Sequence, residues 1–186
     1  MKTMIGLALL LAHGAALAQT NAASLPSPKY SFAELRFVDF DDNGGDGIRL
    51  GGSFDIGNNW IVMGSYTDAD FNNNVDVGIL EVGAGYVWDI TGGFDLIAAL
   101  QFVNADADTP GGSSDDSGFK LSGGTRGFIA PKFEVRGSVN YIDVDDSDTY
   151  LEIAGDYYFT QNIAAGVSLE FGGDTDLFSI GARWYF

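Results

Sequence analysis

The chain contains no cysteine, and its single histidine, His13, lies near the N-terminus. Beyond that point the absence of both residue types excludes Ser–His and Cys–His nucleophile pairs, histidine-ligated metals and a histidine general base. Basic residues are also scarce, nine against 26 acidic ones, for a net charge of -17. We therefore expect no nucleic-acid partner, because such partners require basic patches. We also expect no cofactor and no enzymatic activity.

Long apolar runs are missing after the first residues. Lys2 is followed by an apolar run over 5–17 and by the small-residue pattern Ala16-Leu17-Ala18. This layout is typical of a secretory signal peptide, and the run is too short for the alternative of an anchor helix. We predict a signal peptide over 1–18 and a flexible leader over 19–28. No later segment has 18 consecutive apolar residues, so a transmembrane helix is not expected.

From position 29 to position 186, apolar and polar residues alternate with the period of two that is typical of β-strands. No helical period is present. The alternation predicts ten candidate strands: 29–39, 47–56, 60–68, 76–88, 94–104, 118–129, 133–143, 149–159, 163–171 and 176–186. Eight strands is the alternative count, if the two weakest segments are loops.

Short and long connections alternate along these strands. The short ones contain tight-turn residues and lie at 57–59, 91–93, 131–132 and 161–162. The longer ones are acidic and lie at 41–46, 69–74, 105–117, 144–148 and 172–175. Short turns at one rim, longer loops at the other and an even strand count are typical of bacterial outer-membrane barrels. The pattern places both termini at the periplasmic, short-turn rim.

The two faces of the strands separate a membrane barrel from a soluble β-sandwich. One face is apolar, and its aromatic residues cluster beside the short turns, as in an interfacial girdle: Trp60, Trp88, Phe94, Phe133, Phe159, Trp184 and Phe186. The polar faces carry equal numbers of basic and acidic residues although the whole chain is strongly acidic. Matched charges are expected in a confined lumen, where an unpaired charge is costly.

We therefore predict an all-β fold, a closed antiparallel up-and-down transmembrane β-barrel over 29–186. We expect the polar-face charges to form a lumen charge network: Glu34, Arg36, Arg49, Glu81, Lys120, Arg126, Glu134, Arg136, Glu152, Asp156, Glu170 and Arg183.

The chain ends on the alternating segment Arg183-Trp184-Tyr185-Phe186. This segment resembles the C-terminal recognition signal of outer-membrane barrels, and the layout of 29–186 is similar to the small outer-membrane β-barrel superfamily, which includes OmpA-type transmembrane domains. The resemblance implies a location in the bacterial outer membrane, among lipid and lipopolysaccharide. It also implies insertion by the barrel-assembly machinery, with Trp184 and Phe186 as the signal.

An acidic stretch at 39–44 matches the first half of an EF-hand loop, with Asp39, Asp41 and Asn43 as the candidate ligands. The closing glutamate of that motif is replaced by Leu50, so complete EF-hand coordination is excluded. Oxygen ligands suit Ca²⁺ or Mg²⁺, and the sequence predicts at most a divalent-ion loop here. The alternative is an ordinary solvated surface loop.

Three functions are compatible with these features. The first is a structural or surface-interaction barrel, with its lumen filled by charges and with acidic loops outside. The alternative is a narrow porin-like channel for ions or small solutes, since charged rings set selectivity in pores. The second alternative is a barrel enzyme that uses carboxylate pairs. The first is favoured because barrels of about eight strands are just wide enough for side chains to fill.

Overall fold

A computed structural model describes residues 25–41, 44–72, 74–91, 93–173 and 176–186. The predicted signal peptide lies outside these ranges. Ten antiparallel strands follow in order: β1 (Phe32–Phe40), β2 (Gly45–Gly57), β3 (Trp60–Phe71), β4 (Val75–Thr91), β5 (Phe94–Thr109), β6 (Gly112–Ala130), β7 (Phe133–Val144), β8 (Asp146–Tyr158), β9 (Ile163–Phe171) and β10 (Leu177–Tyr185). Within the described ranges no helix is long and apolar enough to span a bilayer.

Each strand pairs with the next, and β10 pairs with β1 to close a barrel. The closing register joins Phe32 to Tyr185 and Glu34 to Arg183. Closure leaves no unpaired strand edge within the wall, which is the condition for a sheet that crosses a bilayer. The predicted closed ten-stranded barrel is confirmed, and the alternative of eight strands is wrong.

The wall is apolar outside and polar inside. On β1, Phe37 is 60% exposed on the outer surface, whereas Arg36 and Val38 are buried in the interior. The third strand, whose faces the sequence leaves unassigned, directs Val62 and Tyr66 outward and Ile61 inward. A soluble sandwich would bury its apolar face between two sheets, so this distribution excludes that fold.

Four short connections form the short-turn end of the barrel, those between β2 and β3, β4 and β5, β6 and β7, and β8 and β9. In the first of them Asn58 and Asn59 both have positive φ, 54° and 66°. Two consecutive residues of this conformation define a type I′ hairpin turn, which asparagine tolerates well. In outer-membrane barrels the short turns face the periplasm.

The opposite rim differs from the prediction. Instead of a loop over 105–117, β5 continues to Thr109 and β6 begins at Gly112, so that only Pro110 and Gly111 connect them. The predicted loop at 144–148 shrinks to Asp145, whose φ is 61°. Alanine, serine and aspartate have low β propensity, but here they continue the hydrogen-bonded ladder. The acidic residues of this rim therefore lie largely on strand extensions.

The predicted aromatic girdle is largely present. Trp60, Trp88, Phe133, Phe159, Trp184 and Phe186 are all exposed on the outer surface beside the short turns. Phe94 is the exception, because its ring lies over Gly127 of the neighbouring strand and is half-buried. Such a girdle places the wide aromatic side chains at the level of the lipid headgroups.

Candidate functional site

The structure brings all twelve side chains of the predicted lumen charge network into ion pairs inside the barrel. Six of the twelve residues are buried, and Arg183, Glu134 and Asp156 are at most 1% exposed. The pairs fall into a group near the short-turn end and a second group further along the lumen. Their function stays a prediction, but their geometry decides what could pass through the barrel.

Arg183 lies at the centre of the first group. Its Nη2 is 2.7 Å from Glu34 Oε2, and its Nη1 is 3.5 Å from Asp156 Oδ2 and 3.8 Å from Glu134 Oε1. One guanidinium therefore offsets three confined carboxylates. A buried charge of this kind is stable only when its partners remain in place.

Arg126 forms the most regular pair of the lumen. Its Nε donates to Glu134 Oε1 over 2.8 Å and its Nη2 donates to Glu134 Oε2 over 3.1 Å. Two parallel bonds of this kind fix the planes of both groups. Tyr158 donates its hydroxyl proton to the same carboxylate, and Tyr185 accepts a further bond from Arg126.

Arg36 reaches Asp156 across two intervening strands. Its Nη2 lies 3.6 Å from Asp156 Oδ1, although β10 and β9 separate β1 from β8. At this level of the wall both intervening positions are glycines, Gly181 and Gly166. A Cβ on Gly181 would meet the Arg36 side chain, and one on Gly166 would meet the Asp156 carboxylate. The two glycines therefore leave the space in which this ion pair forms.

The second group contains two close pairs, Arg49–Glu170 at 3.0 Å and Lys120–Glu81 at 2.5 Å. Both join strands that are not neighbours in the wall. Arg136 is held more loosely, at 3.6 Å from Asp156 and 3.9 Å from Glu152. Ion pairs therefore join non-neighbouring strands at two levels of the lumen.

An aromatic floor lies below these charges at the short-turn end. It consists of Phe128, Tyr158, Ala164 and Tyr185, with Phe32 and Leu25 packed against it. The ring centroids of Tyr158 and Tyr185 are 5.3 Å apart, and those of Phe128 and Tyr158 are 5.1 Å apart. The sequence prediction did not include this floor in its candidate site, although the alternation already places both tyrosines on the inward face.

A cavity of about 240 Å³ remains in the lumen. Its lining includes Tyr30 and Arg126 at the short-turn end, Ile61 and Ser53 on the wall, and Arg136 on the far side. The charges and the aromatic floor therefore do not fill the whole lumen.

The predicted divalent-ion loop lies only partly within the described residues and stays a prediction. Asp39 lies on β1 and points outward, Asp41 follows that strand, and Asn43 lies outside the described residues. Asp39 instead begins an outward-facing aspartate ladder across five strands, in which each residue is the register partner of the next: Asp39, Asp46, Asp70, Asp76 and Asp108. Among the described residues no group of three or more acidic or histidine side chains has the geometry of a metal site.

The aspartate ladder lies just beyond the apolar outer surface, since Tyr66 and Leu80 are the nearest exposed apolar residues on β3 and β4. Like charges directly opposite each other on a sheet repel. The pKa of Asp76 is raised, chiefly by a hydrogen bond with the Asp70 carboxyl group, and also by the charges of Asp70, Asp108 and Asp68. The neighbouring aspartates therefore favour the protonated form of Asp76.

Trp184 and Phe186 lie on the outer surface at the short-turn end, each 64% exposed. Phe186 also lies near Phe54, with ring centroids 6.4 Å apart. Their recognition by the assembly machinery stays a prediction.

Comparison with known proteins gives the same architecture. The family described as "Outer membrane protein beta-barrel domain" matches residues 5–171, and no curated protein matches the sequence. The barrel is similar to a KdgM porin, at 12% identity and a TM-score of 0.51 over 83% of this chain and 99% of that chain. It is also similar to an outer membrane channel from Pseudomonas putida F1, at 8% identity and a TM-score of 0.50 over 88% and 98% of the two chains.

At such low identity these two structures support the fold alone. The family match covers most of the sequence, including nine of the ten strands. The chain belongs to the outer membrane protein beta-barrel domain family and is a β-barrel of the bacterial outer membrane.

Proposed function

We propose that this protein is a structural outer-membrane barrel with a closed lumen and no enzymatic activity. The observation that carries the proposal is the cluster of Arg183, Glu34, Glu134 and Asp156, whose ion pairs join β1, β7, β8 and β10 inside the lumen near the short-turn end. Opening a path for ions there would require breaking pairs that are buried almost completely. Such a rupture is costly because each separated charge would remain confined.

The same pairs argue against catalysis by carboxylates. A general acid or base must be free to exchange a proton with a substrate. Each acidic side chain of the lumen charge network instead lies within ion-pair distance of a basic one. We therefore assign these acidic side chains a structural role in the barrel and no catalytic role.

Single-channel recording tests the closed lumen. We expect the refolded protein in a planar bilayer to show no steady openings at two salt concentrations, because the ion pairs occupy the path. Heat-modifiable migration on SDS gels confirms that the same preparation is folded. Discrete openings whose size changes in an Arg126→Gln variant would contradict the proposal and favour the channel.

The channel remains the second candidate because of the cavity of about 240 Å³ and the loose contacts of Arg136. If a narrow path for ions exists, it runs through the cavity and past Arg136. A conductance that depends on Arg136 but not on Arg126 would identify this route.

We further propose that the aspartate ladder faces the lipopolysaccharide headgroups through mobile divalent cations. The ladder lies on the outer face next to the apolar surface, and lipopolysaccharide phosphates would repel it without such ions. This arrangement needs diffuse screening and no built metal site.

Replacing Asp76 with asparagine is expected to stabilise the barrel at neutral pH. Because the pKa of Asp76 is raised in the folded barrel, its ionised form opposes folding above that pKa, and the penalty disappears as the pH falls. The Asp76→Asn variant should therefore have a higher thermal midpoint of the heat-modifiable band at pH 7, and the difference should vanish near pH 3.

Asp116→Asn is the matched control, since it removes one charge at the same rim from a residue outside the ladder. Added Mg²⁺ should reduce the difference between Asp76→Asn and the unmodified protein. An equal gain from both variants would show that net charge matters and the ladder does not.

A further inference from the structure

The segment 25–31 crosses the periplasmic mouth of the barrel. The hydroxyl of Tyr30 donates to Asp95 Oδ2 on β5 over 2.7 Å, and the Arg126 guanidinium lies 5.0 Å from the centre of the Tyr30 ring. In a closed ring of ten strands, β5 and β6 lie opposite β1, which this segment enters. Tyr30 therefore reaches the far wall.

The residues before Tyr30 are packed as well. Leu25 contacts the aromatic floor, and the carbonyl of Pro26 lies beside Gly93 in the turn between β4 and β5. Pro28 is buried, and Lys29 Nζ donates to the carbonyl of Gln161 over 2.9 Å. The C-terminal part of the predicted flexible leader thus covers the mouth.

The covering segment is separate from the wall. Pairing between β1 and β10 begins at Phe32, which is opposite Tyr185, so residues 25–30 contribute no register pair to the barrel. Tyr30 and Lys29 are bonded to Asp95 and Gln161. Ser31 attaches the end of the segment to the wall, because it accepts from the backbone N–H groups of Phe186 and Asp55. The segment can therefore leave the mouth without opening the wall.

Tyr30 lies between the cavity and the periplasm. It lines the cavity together with Phe32, Ser53, Ile61 and Arg126. Ser53 is on β2, close to the short-turn end, and its hydroxyl is buried without a hydrogen-bond partner. Removing the Tyr30 ring would open the part of the cavity near Ser53 to the periplasmic mouth.

We propose that residues 25–30 form a removable plug, held by Tyr30, that controls access from the periplasm to the lumen cavity. The inference rests on the proposed function, because it adds a mobile element to a lumen that the ion pairs already close further in. In the proposed closed lumen the ion pairs block the complete path, whereas the plug governs access to the cavity from the periplasmic side. A small solute could thus enter the cavity without crossing the membrane.

The absence of cysteine makes the plug testable by chemical labelling. In a Ser53→Cys variant the thiol replaces the buried hydroxyl with little change in shape, and its reaction with a small charged methanethiosulfonate is followed in detergent micelles. We expect slow labelling behind the intact plug. Adding Tyr30→Ala, or deleting residues 25–30, should raise the rate at least tenfold.

Two controls isolate the plug. Lys29→Ala removes an exposed contact but keeps Tyr30 in place, so that labelling of Ser53→Cys should change less than twofold. Ser113→Cys at the opposite rim should react at one rate in all backgrounds, because Ser113 is exposed. Heat-modifiable migration confirms folding of each variant, and Tyr30→Ala alone decides the question if the deletion does not fold.

Equal labelling rates of Ser53→Cys with and without Tyr30 would overturn the plug. Conductance separates this result from the proposed function. No conductance by the unmodified protein, together with faster labelling of Ser53→Cys after loss of Tyr30, would support both proposals. Channel openings in the unmodified protein would contradict the closed lumen, and the labelling rates would then test the plug separately.

Discussion

Replacing Arg183 with methionine is expected to lower the free energy of unfolding by about 3–5 kcal/mol, the usual cost of removing one partner from a buried ion pair. The guanidinium of Arg183 lies within 4 Å of carboxylate oxygens of Glu34, Glu134 and Asp156. Methionine fills part of the same space but carries no charge. The Tyr185 hydroxyl, which accepts a bond from Arg183 Nη1, would lose that donor as well.

The measurement is the urea dependence of folding in lipid vesicles, followed by tryptophan fluorescence and by heat-modifiable migration. Lys132→Met is the matched control, because it makes the same kind of change at an exposed turn outside the lumen. Exposed substitutions of this type usually change stability by no more than about 0.5 kcal/mol. An Arg183→Met barrel as stable as this control would show that the network contributes nothing.

A second substitution identifies the cause of the loss. If uncompensated carboxylates destabilise Arg183→Met, then adding Asp156→Asn should recover part of the loss, although the same change alone is destabilising. Opposite effects of one substitution in two backgrounds are a coupling energy between neighbouring residues. Additive losses would instead indicate that Arg183 acts by packing alone.

The stability of the barrel depends on ion pairs because its outer surface faces lipid. The outer side chains contact lipid, which is as apolar as they are, so they cannot serve as a core in the manner of a soluble protein. Only the interior remains to connect opposite walls, and here charged and aromatic side chains occupy it. Arg49–Glu170 and Lys120–Glu81 both bridge strands that are not neighbours. The network therefore takes the place of a hydrophobic core.

Much of this architecture follows from the period of two in the sequence. Each strand places alternate residues on opposite faces, so the alternation predicts which charges enter the lumen, and Arg126 and Glu134 lie there as expected. The turns were predictable from their residue types, such as the asparagines at 58 and 59. The strand extensions at 105–117 were not, because their small polar residues are typical of loops.

Partners across the lumen could not be predicted from the same pattern. The alternation places Arg36 and Asp156 inside but gives no height for either, because the stagger between strands sets which residues share a level. The glycines between them gave no usable signal, since the sequence contains 26 glycines. Tyr30 falls within the first predicted strand, 29–39, whereas β1 begins at Phe32, and the alternation does not indicate that Tyr30 leaves the wall. The stagger between strands decides these contacts, and the local sequence pattern does not encode it.

Gly181→Ala tests that register directly and is expected to destabilise the barrel by about 1–3 kcal/mol, the usual cost of overpacking. The added methyl group would meet the carbonyl oxygen of Leu35 and the side chain of Arg36. Because the Leu35 carbonyl belongs to the wall, it cannot move aside without distorting β1. Arg36 would then be displaced from Asp156, so the strain adds to the weakening of an ion pair.

Gly123→Ala is the matched control for this change. A methyl group at Gly123 on β6 would have no atom within 4 Å, so the same substitution adds volume without a collision. Replacing a glycine at an unstrained position should be neutral or stabilising by up to about 1 kcal/mol, because the unfolded chain loses freedom. Gly181→Ala should therefore lower the urea midpoint, whereas Gly123→Ala should leave it unchanged or raise it. If both variants leave the urea midpoint unchanged, the position of Arg36 does not depend on the space left by Gly181. The Arg36–Asp156 ion pair across β9 and β10 would then not contribute to the stability of the barrel.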